Sequence, residues 1–503
     1  MEFGHSIIIG FQVAFEPVNL LFCFMGVLIG TLVGVLPGLG PVAAISLLLP
    51  STFHVPAVSA VIMLAGIYYG AMYGGSTTSI LMNLPGEAAS VITCLDGYQM
   101  ARQGRAGPAL GMSAFASFIA GTIGVIGLML IAPPLAEAAL KFGPPEYFSL
   151  TVLGLTLLTF LARGPMWKSL LMASLGLFIG CIGLDTLMGM PRFTFNIVGL
   201  TDGVGLVPII MGLFGVSEVL LNVEQSMERQ VFQGRIRNLL PTLRDWTRSI
   251  WAILRGTVLG FFIGILPGGS ATVSTFISYA VEKKISKYPE KFGTGIIEGV
   301  AGPEAANNAA TAGGLVPLMT LGLPSNPVMA ILLGAMIIHG VQPGPMLITE
   351  HPDLFWGVVV SMYLGNVMLL VLNLPMIPIW VQILRVPYPI LFPLILLFCL
   401  IGSYSLNNSL FDVLIMVGFG FLGYLFKKFE YEAAPLVLAL VLGPIMETSL
   451  RRSLLLSAGD PTIFVTRPIS GVLLLISLFL LVYPFIPWLR TSRKLLPEER
   501  EDI

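Results

Sequence analysis

Thirteen stretches of this chain are apolar along enough of their length to be candidates for crossing a lipid bilayer, and nothing else in the sequence constrains the fold so strongly. A spanning helix needs about 20 mostly apolar residues. In the first half the stretches fall at approximately 18–36, 57–82, 109–133, 147–162, 168–184 and 204–221. In the second half they fall at approximately 252–281, 296–323, 353–378, 387–403, 411–426, 434–446 and 469–489. Only 11% of the 503 residues are charged, whereas soluble domains carry about 25%. A water-soluble core cannot hide that much apolar surface, but lipid can. The expected class is an all-α polytopic membrane protein. No basic region precedes Ile7–Ile9, so no cleaved signal peptide is expected, and the first apolar segment would direct insertion.

Lys and Arg gather in cytoplasmic loops. The segment 222–255 carries Arg229, Arg235, Arg237, Arg244, Arg248 and Arg255, and the tail beyond Leu489 carries Arg490, Arg493, Lys494 and Arg500. Both read as cytoplasmic. Working back from the central loop puts Arg163/Lys168 and Arg102/Arg105 inside and leaves 50–56 and 185–205 mostly outside, with Arg192 as the exception. The N-terminus then lies outside and the C-terminus inside.

Self-comparison adds an internal repeat. Gly30-Thr-Leu-Val-Gly34-Val-Leu-Pro37-Gly38 matches Gly260-Phe-Phe-Ile-Gly264-Ile-Leu-Pro267-Gly268, at an offset of 230. Gly74-Gly75 with Leu84-Pro85 recurs as Gly313-Gly314 with Leu323-Pro324, at 239, and Gly121 and Gly176 align with Gly365 and Gly420, at 244. A few loop insertions account for the drift. The loops that follow matched elements have opposite charge bias. Ser51–Pro56 has no Lys or Arg, whereas its counterpart reads Glu282-Lys-Lys-Ile-Ser-Lys-Tyr-Pro-Glu-Lys291. Arg102/Arg105 face Glu350 and Asp353, Arg163/Lys168 face Asn407, Asn408 and Asp412, and a cation-free loop near Gly183 faces Lys427-Lys428.

Such pairs indicate halves inserted upside down relative to each other, a secondary-transporter architecture. Each repeat then has an odd number of crossings, five plus one re-entrant element. The whole chain is expected to make about 11–12 crossings plus hairpins. The division is 1–221 for the first inverted repeat, 222–251 for a cytoplasmic basic linker and 252–450 for the second repeat. An extra transmembrane helix and a cytoplasmic tail occupy 451–503.

The interrupted segments carry the candidate chemistry. Leu36-Pro37-Gly38-Leu39-Gly40-Pro41 and Leu266-Pro267-Gly268-Gly269-Ser270-Ala-Thr272-Val-Ser274-Thr275 sit in otherwise apolar runs. Proline removes a backbone donor and glycine lets the chain reverse. Irregular backbone at membrane depth survives only beside protein or a watery cavity. Its free amides suit carboxylates and its free carbonyls suit a cation. Tyr73-Gly74-Gly75-Ser76-Thr77-Thr78-Ser79 with Asn83 pairs with the run from Glu298 through Glu304, Asn307, Asn308, Thr311 and Gly314 to Asn326. Carboxylates at that depth need a partner or a proton, and Glu304 lies one helical turn from Asn307 and Asn308.

The expected substrate-binding set is therefore Pro37, Gly38, Gly40, Gly75, Ser76, Thr77, Asn83, Gly268, Gly269, Ser270, Asn307, Asn308 and Gly314. The expected ion-coupling set is Thr272, Ser274, Glu304, Thr311 and Asn326. Glu87 and Asp96 read as boundary residues, and Glu298 also admits the reading of a helix end beside water.

Other chemistries lack support. The net charge is −1 with no basic stripe, so no nucleic-acid partner is expected. The cysteines (Cys23, Cys94, Cys181, Cys399) show no CxxC spacing, and His5, His54, His339 and His351 share no metal-ligand spacing. No resident metal or cofactor is expected. Ser76 and Ser270 sit on glycine-rich turns, but no histidine lies at a helix spacing to serve an intramembrane hydrolase, so the chain does not read as an enzyme. A passive anion channel is the other alternative.

The pair VLPGLGP and ILPGGS, with EGVAGPEAANNAATAGG and LPSNP, resembles the large membrane subunit of tripartite tricarboxylate transporters, the TctA type, over roughly residues 18–445. The resemblance implies a multi-pass permease of the bacterial inner membrane, with its N-terminus periplasmic. It implies a small four-helix membrane subunit and a periplasmic binding protein that delivers a carboxylate: tricarboxylate such as citrate, dicarboxylate or aromatic. Transport would be symport on a Na⁺ or H⁺ gradient; alternating, elevator-like access is the expectation from the paired interrupted segments around one site. The absence of any Gly-Lys dipeptide, and hence of a Walker A loop, agrees with a drive other than ATP.

Overall fold

The structure is a computed structural model that describes residues 3–483 except Pro37, Leu39, Arg163, Thr186, residues 225–237 and residues 385–387. Pro37, Arg163, the linker cations Arg229, Arg235 and Arg237, the end of the last expected span and the tail cations Arg490, Arg493, Lys494 and Arg500 lie outside the described residues. The main helices are α1 (Phe3–Ala14), α2 (Pro17–Val35), α3 (Gly40–Leu48), α4 (Ala57–Met82), α5 (Ala106–Ala139), α6 (Pro144–Leu161) and α7 (Met166–Gly180). Then come α8 (Leu206–Glu224), with a π-turn at Met211–Val216, α9 (Leu243–Ile265), α10 (Ala271–Ile285), α11 (Glu298–Leu321) and α12 (Pro327–Ile338). The chain continues through α13 (Pro352–Asn373), α14 (Tyr388–Asn407), α15 (Leu410–Lys428), α16 (Ala434–Leu456) and α17 (Pro468–Val482).

Among the described residues eight helices are long and apolar enough to cross a membrane. The protein is an all-α polytopic membrane protein, save for a two-residue ladder pairing Gly183–Leu184 with Pro191–Arg192.

Two helix pairs built on glycine form the centre. Gly26, Gly30 and Gly34 of α2 face the backbones of Met63, Ile67 and Ala71 of α4. Gly256, Gly260 and Gly264 of α9 face Gly302, Ala306 and Ala310 of α11. A small residue every fourth position lets two backbones touch where lipid provides no hydrophobic drive for association. In each pair the numbers rise together, so each pair is parallel. The pairs are antiparallel to each other: Tyr68 lies by Asn326, at the level of Gly314, while Ser76 reaches Glu304.

Both Pro-Gly breaks end a helix that turns back. The start of α2 is tied to the start of α4 by Ser59 donating to Asn19 at 2.5 Å, so α2, the break and α3 leave and return to one end of the molecule. Arg255 of α9 holds Glu282 of α10 at 2.8 and 2.6 Å, so the second hairpin also returns to its own starting level. The apolar stretch 252–281 is two helices meeting at Ser270, as its Pro-Gly-Gly-Ser break leads one to expect. α9 begins at Leu243, inside the stretch read as linker, because Thr242 and Asp245 cap it. α12 falls between the expected spans; Pro327 and its Asn326 cap start it afresh. The helix in the expected span 168–184 ends at Gly180, and the short ladder begins at Gly183.

α5 and α13 flank the centre, with Gly124 of α5 on Ala309 and Ala312 of α11, and Gly365 of α13 on Val27 and Tyr69. Outside them α7 packs on α16 through Gly176 and Leu436, and α8 packs on α15 through Gly212 and Met416.

Candidate functional site

α11 is enclosed along nearly its whole length: every residue from Gly299 to Thr320 is buried. Its alanines and glycines favour close approach on all sides, and its few polar side chains must find partners within the protein. Glu304 is 1% exposed. Ser76 of α4 donates to its Oε2 at 2.6 Å, Ser117 of α5 reaches the same oxygen at 3.5 Å, and Thr93 donates to Oε1. Asn308 donates to Ser117 at 2.7 Å and to the Glu304 carbonyl at 3.1 Å. No ion pair among the described residues involves Glu304. Glu298, six positions earlier, is different: Arg248 grips both its oxygens at 2.8 and 2.9 Å, which makes it the ordinary charged end of a helix.

A second carboxylate, Glu87, lies beside this cluster and is also buried. It accepts from Ala89 N at 2.6 Å, capping the short helical stretch that follows, and from Asn307 Nδ2 at 3.5 Å. The partner half repeats the arrangement. Asn326 accepts from Met329 N at 3.1 Å, capping α12, and donates to Tyr68 Oη at 3.4 Å. Glu87 and Asn326 are 239 residues apart, and so are Tyr68 and Asn307, the offset of the Gly-Gly elements (326 − 87 = 307 − 68 = 239). The glycines serve both caps alike. A Cβ at Gly75 would meet Glu87 Cγ at 2.9 Å, and one at Gly314 would meet Ser325 Oγ at 2.9 Å.

Between the halves is a water-sized cavity of about 20 Å³ lined by Tyr69, Gly121, Asn308, Thr311 and Asn366. Asn366 of α13 accepts from Tyr73 at 2.5 Å and donates to Phe118 O at 2.8 Å. Thr311 donates to the Asn308 carbonyl at 2.6 Å.

The breaks lie next to the caps. Gly268, at φ +79, donates its N–H to Ser325 O at 2.8 Å, and Gly269 packs on Ile263 O. Ser270 caps α10 by accepting from Val273 N, and Ser274 donates to Ser270 O. The Thr272 carbonyl takes the Thr275 hydroxyl. In the first half Gly34 meets Gly86, next to Glu87, while Gly38, at φ +89, lies against Glu218 and Asn222 of α8. Gly40 has φ +59 with open space around it.

Of the expected residues, Gly75, Ser76, Asn307, Asn308, Glu304, Thr311, Gly314 and Asn326 converge on the centre, with Thr77 buried nearby on α4. Asn83 is an exposed left-handed cap ending α4, away from the carboxylates. Tyr68, Glu87, Thr93, Ser117 and Asn366 complete the centre and were absent from the expected sets. For Glu87 the signal was available, since it stands at the repeat offset from Asn326.

Toward the starts of α5, α9 and α11 the polar groups are neutralised in pairs. Arg105 holds Asp245 at 2.6 Å. Asp96 Oδ1 accepts three backbone amides, from Gly293, Gly295 and Ile296, at 2.8–2.9 Å.

Comparison with known proteins agrees with this architecture. The tripartite tricarboxylate transporter TctA family model matches residues 20–438. The chain is 50% identical over 493 residues, 98% of both chains, to an Agrobacterium vitis protein described as the "Uncharacterized 52.8 kDa protein in TAR-I ttuC' 3'region". It is also 50% identical over 234 residues, 46% of this chain and 97% of the relative, to the "Uncharacterized protein in TAR-II ttuC' 3'region" of the same organism. No solved structure matches. The chain belongs to the tripartite tricarboxylate transporter TctA family.

Proposed function

We propose that this chain is the large permease subunit of a tripartite importer, moving a small carboxylate received from a periplasmic binding protein alongside a small membrane subunit. The observation that carries the reading is the pair of matched polar contacts, Asn307 to Glu87 and Asn326 to Tyr68. They lie in two antiparallel halves of a membrane protein, each beside a chain break. A site shared between oppositely directed halves can face either side as those halves exchange roles. Inverted repeats spanning 1–221 and 252–450, inner-membrane location and a cytoplasmic C-terminus belong to this reading.

The substrate class follows from donors rather than cations. The capped N-termini of α10 and α12 offer backbone amides and partial positive charge to an anion. The hydroxyls and amides of Ser270, Asn307 and Asn308 supply further hydrogen bonds. Na⁺ or H⁺ movement down its gradient drives accumulation.

Reconstitution with the membrane subunit and the binding protein tests the reading. Accumulation of a carboxylate above equilibrium on an imposed ion gradient is expected, and mere equilibration would instead identify a passive channel. Unchanged uptake in Ser270→Ala and Asn308→Ala would remove these residues from the site.

A further inference from the structure

Resting on the transport reading, we propose that the coupling ion is a proton and that Glu87 and Glu304 are the groups that bind it. At both positions the two halves of the molecule differ in charge, as they also do at Asp96, whose counterpart is Ala335 but whose carboxylate is taken up by the 293–296 loop. At the offset of 239, Glu87 corresponds to the neutral Asn326 and Glu304 to Ala65 (304 − 239 = 65), both buried. The structural task at the first position, capping the next short helix, is performed by Asn326 without a charge. At the second, the frame closes around a methyl group. Two ionisable groups enclosed in a membrane protein, where the fold needs neither, point to a use for the ionisation.

The surroundings suit a group that gains and loses a proton in place. The partners of Glu304 are hydroxyls on three elements: Ser76 on α4, Thr93 after the first Gly-Gly element and Ser117 on α5. A hydroxyl donates to an ionised carboxylate and, after rotation, accepts from a protonated one. Asn307 gives Glu87 the same choice. Its Nδ2 donates to the carboxylate while its Oδ1, fully buried, has no hydrogen-bond partner among the described residues. A half-turn of the amide puts that oxygen where a protonated Glu87 can donate to it. Both oxygens of Glu304 already take a hydroxyl hydrogen. A proton adds no volume, whereas a metal ion would need room between the carboxylate and hydroxyl oxygens, of which Ser76 Oγ and Glu304 Oε2 are 2.6 Å apart.

The other groups around the pair leave it without a permanent counter-charge. Tyr73, Cys94 and Glu87 lie within electrostatic reach of Glu304, and Tyr68 within reach of Glu87. Asp96 is engaged by backbone amides and Tyr279. Of the cations on the packed elements, Arg248 is committed to Glu298, Arg255 to Glu282 and Arg105 to Asp245, while Arg244, Lys283 and Lys284 are exposed at the helix ends. Because Ser76 belongs to the first half and Glu304 to the second, the protonation state sets the hydrogen bonds that join the halves. Binding a proton from one side and releasing it to the other would thereby couple to their relative movement.

The test uses the complete complex with its binding protein in proteoliposomes containing a trapped pH-sensitive dye, with radiolabelled citrate and malate as probes. Wild type is expected to accumulate the probe on a pH gradient without Na⁺, with acidification of the lumen, and to show a pH-dependent exchange rate. Glu87→Asn, which copies the neutral cap of the other half, and Glu304→Gln are expected to lose gradient-driven accumulation. Their residual exchange should be insensitive to pH. Co-purification of each variant with the membrane subunit reports its assembly, and the wild-type acidification needs no variant.

Accumulation driven by Na⁺ alone at clamped pH, with no lumenal acidification, would overturn the proton assignment while leaving the transport reading intact. Full pH-driven accumulation in both variants would overturn the role of the two carboxylates. Failure of wild type to exchange either probe, although the binding protein retains it, would overturn the transport reading and the inference with it.

Discussion

Gly264 lies against Ala310 so closely that a Cβ added to it would fall 2.8 Å from the Ala310 Cα and nearer still to the carbonyl oxygen. Gly34 meets Ala71 in the same way in the other half. These contacts set the spacing of the parallel helix pairs, and therefore the distances at which the hydroxyls of α4 and the carboxylate of α11 can meet.

Substituting either glycine forces the pair apart. Overpacking of this kind costs about 1–3 kcal/mol. Gly264→Ala and Gly34→Ala are expected to lower the unfolding temperature of the detergent-solubilised protein and to reduce transport. Gly418, exposed on α15 with nothing within 4 Å of an added Cβ, is the control. Its change to Ala should alter stability by no more than about 1 kcal/mol, in the stabilising direction. Equal effects at the three positions would contradict the packing argument.

Asp96 is expected to matter as a fastener. It accepts three backbone amides of the 293–296 loop, and Tyr279 donates to its other oxygen at 2.8 Å. Hydrogen bonds to a charged acceptor contribute about 1.5–3 kcal/mol each, with a larger penalty when buried donors are orphaned. Asp96→Ala should destabilise the fold by at least about 2 kcal/mol. It should also open the loop to proteolysis at the neighbouring Lys291. Wild-type protease resistance in the variant would show that the loop is held by other contacts.

How much of this could be read from the sequence depended on the kind of signal. The Pro-Gly breaks, the Gly-Gly elements and Glu304 are legible because glycine, proline and a carboxylate are conspicuous in an apolar chain. Tyr68, Ser117 and Thr93 were not, because hydroxyls scattered along apolar helices look alike until packing selects those that face a carboxylate. Glu87 and Asp96 were read as boundary residues from their place beyond an apolar run. The chain folds back after Asn83 and carries Glu87 to the level of Gly75, which spacing along a line does not reveal. Glu298 shows the converse: its depth depended on Arg248, fifty residues earlier (298 − 248 = 50).

Asp185 supports a pH prediction. It lies outside the spanning helices, where Arg451 donates to it at 2.6 Å and the amides of Leu187 and Met188 add to the effect. The Arg451 hydrogen bond, followed by those amides, holds its carboxyl well below the usual carboxylate range. A group depressed in the folded state contributes stability above its unfolded value, and that contribution is lost as pH falls through the folded value. Protection of the 183–192 ladder from amide hydrogen exchange should therefore persist below pH about 4, the ordinary aspartate range. In Arg451→Gln it should fail nearer that pH. Identical pH profiles would separate Asp185 from the stability of the ladder.

The opposed hairpins yield the sharpest test of the architecture. Ser51 follows α3, near the end where α2 and α4 begin, and Lys284 is at the end of α10, where α9 and α11 begin; both are exposed. Cys23, Cys94 and Cys399 are buried, so Cys181→Ser gives a background of low thiol reactivity. In that background an impermeant thiol reagent should label Ser51→Cys in intact spheroplasts, where the periplasmic face is outward. Lys284→Cys should react only in inverted vesicles, because the basic segment 282–291 belongs on the cytoplasmic side. The two positions must exchange reactivity when the membrane is inverted. Labelling of both from one face would place the hairpins on the same side and exclude a site built from halves of opposite orientation.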